Sequence, residues 1–153
     1  MGTINIGRVI IGGIVAGIVC NILGFLADGV IFASQWAAGM KALGKGEFTL
    51  SQDLTFSVIG LVQGIFVVWL YAAMRPRFGA GPKTAVYAGL AAWVIGALLP
   101  NASLMGVSGL FPANLTVMTT AAAIVETVVA ALAGGALYKE ESAGTAQSRA
   151  AHP

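Results

Sequence analysis

Apolar residues in this chain gather into four long runs, separated by three stretches where polar, charged or turn-forming residues collect. The runs cover about residues 8–32, 52–74, 82–99 and 112–138. A helix needs about 20 consecutive apolar residues to cross a bilayer, and each run is close to that length. The pattern predicts an all-α fold, a four-transmembrane-helix bundle forming a single domain over 1–138, with a short polar tail over 139–153 that has nothing to bury and is expected to be disordered.

Small residues recur inside the runs at helical spacing. Gly13 and Gly17 in the first run, and Gly60 and Gly64 in the second, are small-xxx-small pairs that let two backbones approach closely. Ala85, Gly89, Ala92 and Gly96 make a small face on the third run, and Ala123, Thr127, Ala131 and Gly135 repeat every four residues on the fourth. Gly17, Asn21, Gly24 and Asp28 share one face of the first helix, which is expected to point into the bundle.

The connecting stretches carry their own signals. Over 33–52, Trp36, Met40 and Leu43 fall at helical spacing beside Lys41, Lys45 and Glu47. This predicts a short amphipathic helix in the membrane interface, ending near Gly44 or Gly46 and anchored at headgroup level by Trp36; a plain loop is the competing reading. Thr49 and Gln52 fit a capping box that opens helix 2. In the 75–83 loop, Pro76 is expected to stop helix 2, Gly79 and Gly81 to permit the reversal, and Pro82 to sit in the first turn of helix 3. The 100–112 stretch has no charge and is broken by Gly106, Ser108 and Gly109, so it is expected to lie in the interface or dip slightly into the membrane.

Composition sharpens this picture. Of the 153 residues, 58% are hydrophobic and only 9% charged, and the mean hydropathy is +0.87. Soluble domains carry about 25% charged residues, so most of this surface does not face water. A net charge of +2, without basic and aromatic residues interleaved, argues against nucleic acid as a partner. The apolar N-terminal run is longer than a signal-peptide core and lacks a good cleavage site, so it is read as a retained helix.

Charge also suggests an orientation. With four spans, both ends and the central loop share one side, which holds Arg8, Arg75, Arg77, Lys83, Lys139 and Arg149; the other side holds Lys41 and Lys45. Basic short loops stay cytoplasmic. Both termini are therefore expected in the cytoplasm, with Arg75, Arg77 and Lys83 acting as topology determinants. Gripping anionic lipid headgroups is a second role open to these three.

The candidate chemistry lies inside the membrane. If the helices are centred near Asn21, Gln63 and Glu126, three polar side chains fall at similar depth. A charge at a span's centre costs about 2.5–3.5 kcal/mol on insertion scales, so such groups turn inward and find partners. No Lys, Arg or His sits at the depth of Glu126. A neutral Glu126 can donate to the Asn21 or Gln63 carbonyl, while Asp28, about 10 Å further outward at 1.5 Å per residue, approaches the interface. This cluster is either a clasp fixing helix register or a protonatable site on a solute path.

Other chemistry finds little support. Cys20 is the sole cysteine and His152 the sole histidine, which leaves no intrachain disulfide and no cysteine-based zinc site. No nucleophile–His–acid set, metal cluster or cofactor fingerprint is present, so neither an enzyme nor a bound cofactor is expected. The Lys83–Thr84 pair lacks the glycine spacing of a phosphate-binding loop.

The string 71–85, from Tyr71 through Arg75-Pro76-Arg77-Phe78-Gly79 to Ala85, resembles a group of small bacterial four-span membrane proteins to which no activity is assigned. The segment around Trp36–Met40, and Glu126 in the last helix, fit the same likeness. The resemblance implies a bacterial inner membrane and transfers no catalytic residue. Two functional readings follow. The chain is a structural or accessory membrane subunit, partnered by lipids, by further copies of itself or by another membrane subunit. Alternatively, it is a small-solute or proton-linked transporter using Glu126, Asn21 and Gln63.

Overall fold

In the computed structural model, residues 3–107 and 109–140 are described. They form helices and connecting turns, with no strand among them. Helix α1 (Ile6–Gly24) continues through a π-helical segment, Phe25–Ile31. A short α2 (Ala33–Ala42) follows, then α3 (Leu50–Phe78). Helix α4 (Pro82–Trp93) passes through a second π segment, Val94–Leu98, into α5 (Leu99–Val107), and α6 (Ala113–Leu137) closes the bundle. Four stretches are long and apolar enough to cross a membrane: Ile6–Ile31, Leu50–Phe78, Pro82–Met105 and Ala113–Leu137. The chain is a four-helix bundle of the multi-pass membrane type.

The bundle is apolar on the outside. Ile11, Ile14, Ile18 and Ile22 project from one face of α1 with 44–56% of their surface free, while Gly12, Gly13, Ala16 and Gly17 are buried on the other. A water-soluble helix reverses this arrangement. Hydrocarbon solvates isoleucine as well as a protein core does, so small residues that let backbones touch go inside instead. The main core lies toward the central loop, where Val9, Val68, Tyr71, Ala88 and Ala131 are buried together. A second cluster, Ala27, Phe32 and Leu115, lies beneath α2. Between Leu50 and Ile59 every residue of α3 is exposed, and the second π segment has no buried residue. The packing is therefore closest in the half of the bundle nearest the central loop.

Several expectations from the sequence change. Pro76 does not stop the second membrane helix, which runs to Phe78. It falls in the last turn, where its missing N–H removes one bond, and Gly79, at φ 84°, ends the helix while donating to the Arg75 carbonyl at 2.8 Å. The 100–112 stretch is not one interfacial loop, because the third helix continues through it as far as Val107. Pro100 fits because a π turn precedes it: the Leu99 N–H reaches back to the Val94 carbonyl, and the wider turn makes room for the ring. The amphipathic helix before α3 forms as α2, with Met40 buried and Gly44 at φ 68° after its end. The capping box forms as well: the Thr49 N–H donates to Gln52 Oε1 at 2.8 Å, and the Gln52 N–H donates to Thr49 Oγ1 at 3.4 Å. Most of the expected polar tail, residues 141–153, lies outside the described residues.

Candidate functional site

Helix α1 carries two lines of small residues, and each seats a different neighbour. Gly13 and Gly17 meet α3: a Cβ on Gly13 would lie 2.5 Å from Ile65 Cα, and one on Gly17 would lie 2.6 Å from Leu61 Cα. Gly64 fits between them, since a Cβ there would lie 2.5 Å from the Gly13 carbonyl oxygen. One residue along, Gly12, Ala16, Cys20 and Gly24 repeat every four positions and run beside α6. A Cβ on Gly134 would lie 2.5 Å from the Gly12 carbonyl and 2.8 Å from Ala16 Cβ, while one on Gly24 would lie 3.5 Å from Glu126 Oε2. Lines of small residues at every fourth position suit helices that cross with backbones nearly touching.

These two seams separate the intramembrane polar groups. Asn21 turns toward α3, where its Nδ2 donates to the Ser57 carbonyl at 3.0 Å over the bare Cα of Gly60. Glu126 turns toward α1, into the space Gly24 leaves. Gln63 faces the third span, with its Nε2 3.7 Å from the place a Cβ on Gly96 would occupy. No hydrogen bond joins Glu126 to Asn21 or Gln63 among the described residues, so the bond open to Glu126 from either amide is not made. The four-residue lines that pair α1 with α3 and α1 with α6 run side by side, about 100° apart around the helix, so Asn21 and Glu126 meet α1 at different seams.

Asp28 does not lie free at the interface. It is half-buried and accepts from Trp36 Nε1 at 3.0 Å. The π segment places it there, because a turn of more than 3.6 residues shifts every later side chain around the helix axis. Trp36 thus directs its N–H inward to a carboxylate rather than out to a headgroup. Its ring packs edge-on against Phe111 at 5.0 Å and Phe48 at 6.2 Å. Nearby, Trp93 Nε1 donates to the Thr120 carbonyl at 2.7 Å, and Asn101 Nδ2 donates to the Thr120 hydroxyl at 2.7 Å. The cavity beside them, lined in part by Trp36, Asn101 and Phe111, holds about 110 Å³. Pockets for small-molecule ligands run to about 300–1,000 Å³, so it is too small for any but the smallest solute.

At the opposite end the three basic residues separate. Arg75 is drawn in: its side chain is 16% exposed, its Cζ lies 5.8 and 5.2 Å from the ring centroids of Tyr71 and Tyr138, and its Nε lies 3.7 Å from Glu140 Oε1. The two tyrosines fasten neighbouring segments. Tyr71 accepts from the Gly81 N–H and Tyr138 from the Asn5 N–H, each at 3.2 Å. Arg77 and Lys83 stay exposed. No three His, Cys, Asp or Glu side chains converge as a metal site among the described residues.

Two features escape a reading of the sequence. The Gly12–Gly24 line is hidden by Gly13 and Gly17 beside it, which have the same four-residue spacing, and by the grouping of Gly24 with Gly17, Asn21 and Asp28. The Arg75 cage depends on Tyr138, whose distance along the chain hides the contact. Comparisons with family models, curated proteins and solved structures found no match to this chain.

Proposed function

We propose that the protein is a structural or accessory subunit of a bacterial inner membrane, with both termini and the central loop in the cytoplasm. One observation carries this reading: the intramembrane polar groups serve separate helix seams, Asn21 that of α1 with α3 and Glu126 that of α1 with α6. Polar groups used this way fix which helices pair and in what register. The lysine and arginine excess at the end holding both termini supports the orientation. The glycine lines and the broad apolar exterior suit lipid, further copies of the chain or another membrane subunit as partners, and no step of catalysis is assigned to it.

A second reading rests on Glu126 and Asp28. Glu126 lies against Gly24, one helical turn before Asp28 on the first span, and neither carboxyl group makes an ion pair among the described residues. Intramembrane carboxylates mark proton and ion pathways in many membrane proteins, and a proton-linked transporter would use such a pair. Glu126→Gln separates the two readings. A subunit keeps its helicity, its mass in detergent and its neutral proteoliposome background. A transporter keeps its fold but loses a pH-driven flux that the unaltered protein shows. Detection of such a flux in vesicles of the unaltered protein would displace the structural reading.

A further inference from the structure

The seam between α3 and α4 at the central-loop end carries an unpaired basic and aromatic surface. Arg77 and Lys83 flank the turn, are exposed, and make no ion pair among the described residues; the nearby carboxylate, Glu140, is engaged with Arg75. Beside them Phe78, 53% exposed, and Tyr87, 38% exposed, meet edge to face with ring centroids 5.7 Å apart. Lys83 Nζ lies 5.9 Å from the Tyr87 centroid. Lys83, Tyr87 and Leu90 follow one another at spacings of four and three residues, so a cation, an aromatic ring and an aliphatic side chain descend one face of α4. Cβ atoms on Gly79 or Gly81 would meet nothing within 4 Å, so the turn itself is uncovered.

We infer that this seam seats an anionic phospholipid, with its phosphate between Arg77 and Lys83 and its acyl chains along Phe78, Tyr87 and Leu90. Charge and depth select that occupant. These two cations, without an ion pair among the described residues, lie at the end of two membrane spans and face the layer where lipid phosphates lie, and aromatic rings favour the same layer. The apolar strip below continues into the hydrocarbon, where a free anion gains nothing and an acyl chain does. The uncapped N-terminus of α4 adds its positive end to the same place. Arg75 takes no part, because its guanidinium is held between two tyrosines and Glu140. The inference is independent of the role assigned to Glu126.

The test uses the full chain in a neutral detergent, titrated separately with phosphatidylglycerol and phosphatidylcholine, with bound lipid counted by native mass spectrometry. The unaltered protein retains phosphatidylglycerol preferentially. Each surface cation contributes about a fivefold preference, so Lys83→Gln lowers it about fivefold and the Arg77→Gln/Lys83→Gln double variant about 30-fold. The charge-keeping pair Arg77→Lys/Lys83→Arg retains it, as does Arg8→Gln/Lys139→Gln, which removes two cations from the same end but not from this seam. Excess inorganic phosphate does not displace the lipid. The inference is overturned if the preference is undiminished in a helical Arg77→Gln/Lys83→Gln protein or in Lys83→Gln. Equal loss in Arg8→Gln/Lys139→Gln, or displacement by phosphate alone, overturns it as well.

Discussion

Replacing Gly64 with alanine adds one methyl group where two helix backbones touch. The added Cβ would fall within contact distance of the Gly17 backbone and 2.5 Å from the Gly13 carbonyl oxygen. Ordinary van der Waals contact begins near 3.4 Å, so α1 and α3 must separate by close to an ångström, and backbone atoms have no rotamer with which to yield. Overpacking of a tight site costs about 1–3 kcal/mol, and this one lies at the severe end. Alanine returns about 1 kcal/mol of helix propensity relative to glycine. The net expectation is a loss of about 1–2 kcal/mol, together with weakening of the Asn21–Ser57 bond in the same seam. The comparison is Gly96→Ala, where a Cβ meets only Gln63 Nε2 at 3.7 Å; it is expected to be neutral or stabilising by up to about 1 kcal/mol. Unfolding of both variants with increasing sodium dodecyl sulfate in mixed micelles, followed by circular dichroism, gives the two midpoints. Equal midpoints, or a Gly64→Ala protein as stable as the parent, would refute the claim that backbone contact at Gly64 sets the helix spacing.

Further outcomes follow from the polar seams. Asn21→Ala removes an interhelical donor and is expected to cost about 0.6–2 kcal/mol in the same assay, whereas Asn21→Gln retains an amide and loses less. Asp28→Asn keeps an oxygen that accepts from Trp36 and is expected to remain within about 0.5 kcal/mol of the parent, while Asp28→Ala leaves a half-buried indole N–H without its partner and costs about 1 kcal/mol; identical midpoints for the two would remove any role for that bond. Arg75→Gln withdraws the cation from between Tyr71 and Tyr138 and is expected to cost about 1–2 kcal/mol, against less than about 0.5 kcal/mol for the exposed Arg77→Gln.

Much of the fold was legible because the membrane simplifies the sequence code. Four apolar runs, a capping box at Thr49 and Gln52, and a glycine at the end of α2 each have a local physical cause. The errors were local as well. Pro76 read as a helix stop and the third run as ending at 99, yet Pro76 sits where a single bond is lost and Pro100 follows a π turn that admits its ring. Neither π segment was readable, because a one-residue widening leaves no mark in composition. That loss mattered at the site, where the first π segment sets the direction of Asp28. The common depth assumed for Asn21, Gln63 and Glu126 did not specify a common seam. Which face of a helix meets which neighbour depends on crossing geometry, and two adjacent small-residue lines on α1 made both choices equally plausible from the sequence. Arg75 read as one of three equivalent surface cations until Tyr138 and Glu140, more than sixty residues away in the chain, were placed beside it.

The claim that the chain crosses a membrane four times is tested most directly by thiol accessibility. In a Cys20→Ser background, single cysteines at Thr3, Gly46 and Ala80 are treated with a membrane-impermeant maleimide, first on intact cells and then on opened cells. Four spans place Thr3 and Ala80 on one side and Gly46 on the other, and the proposed orientation makes Gly46 the residue labelled from outside. Labelling of Gly46 and Ala80 from the same side would contradict the account.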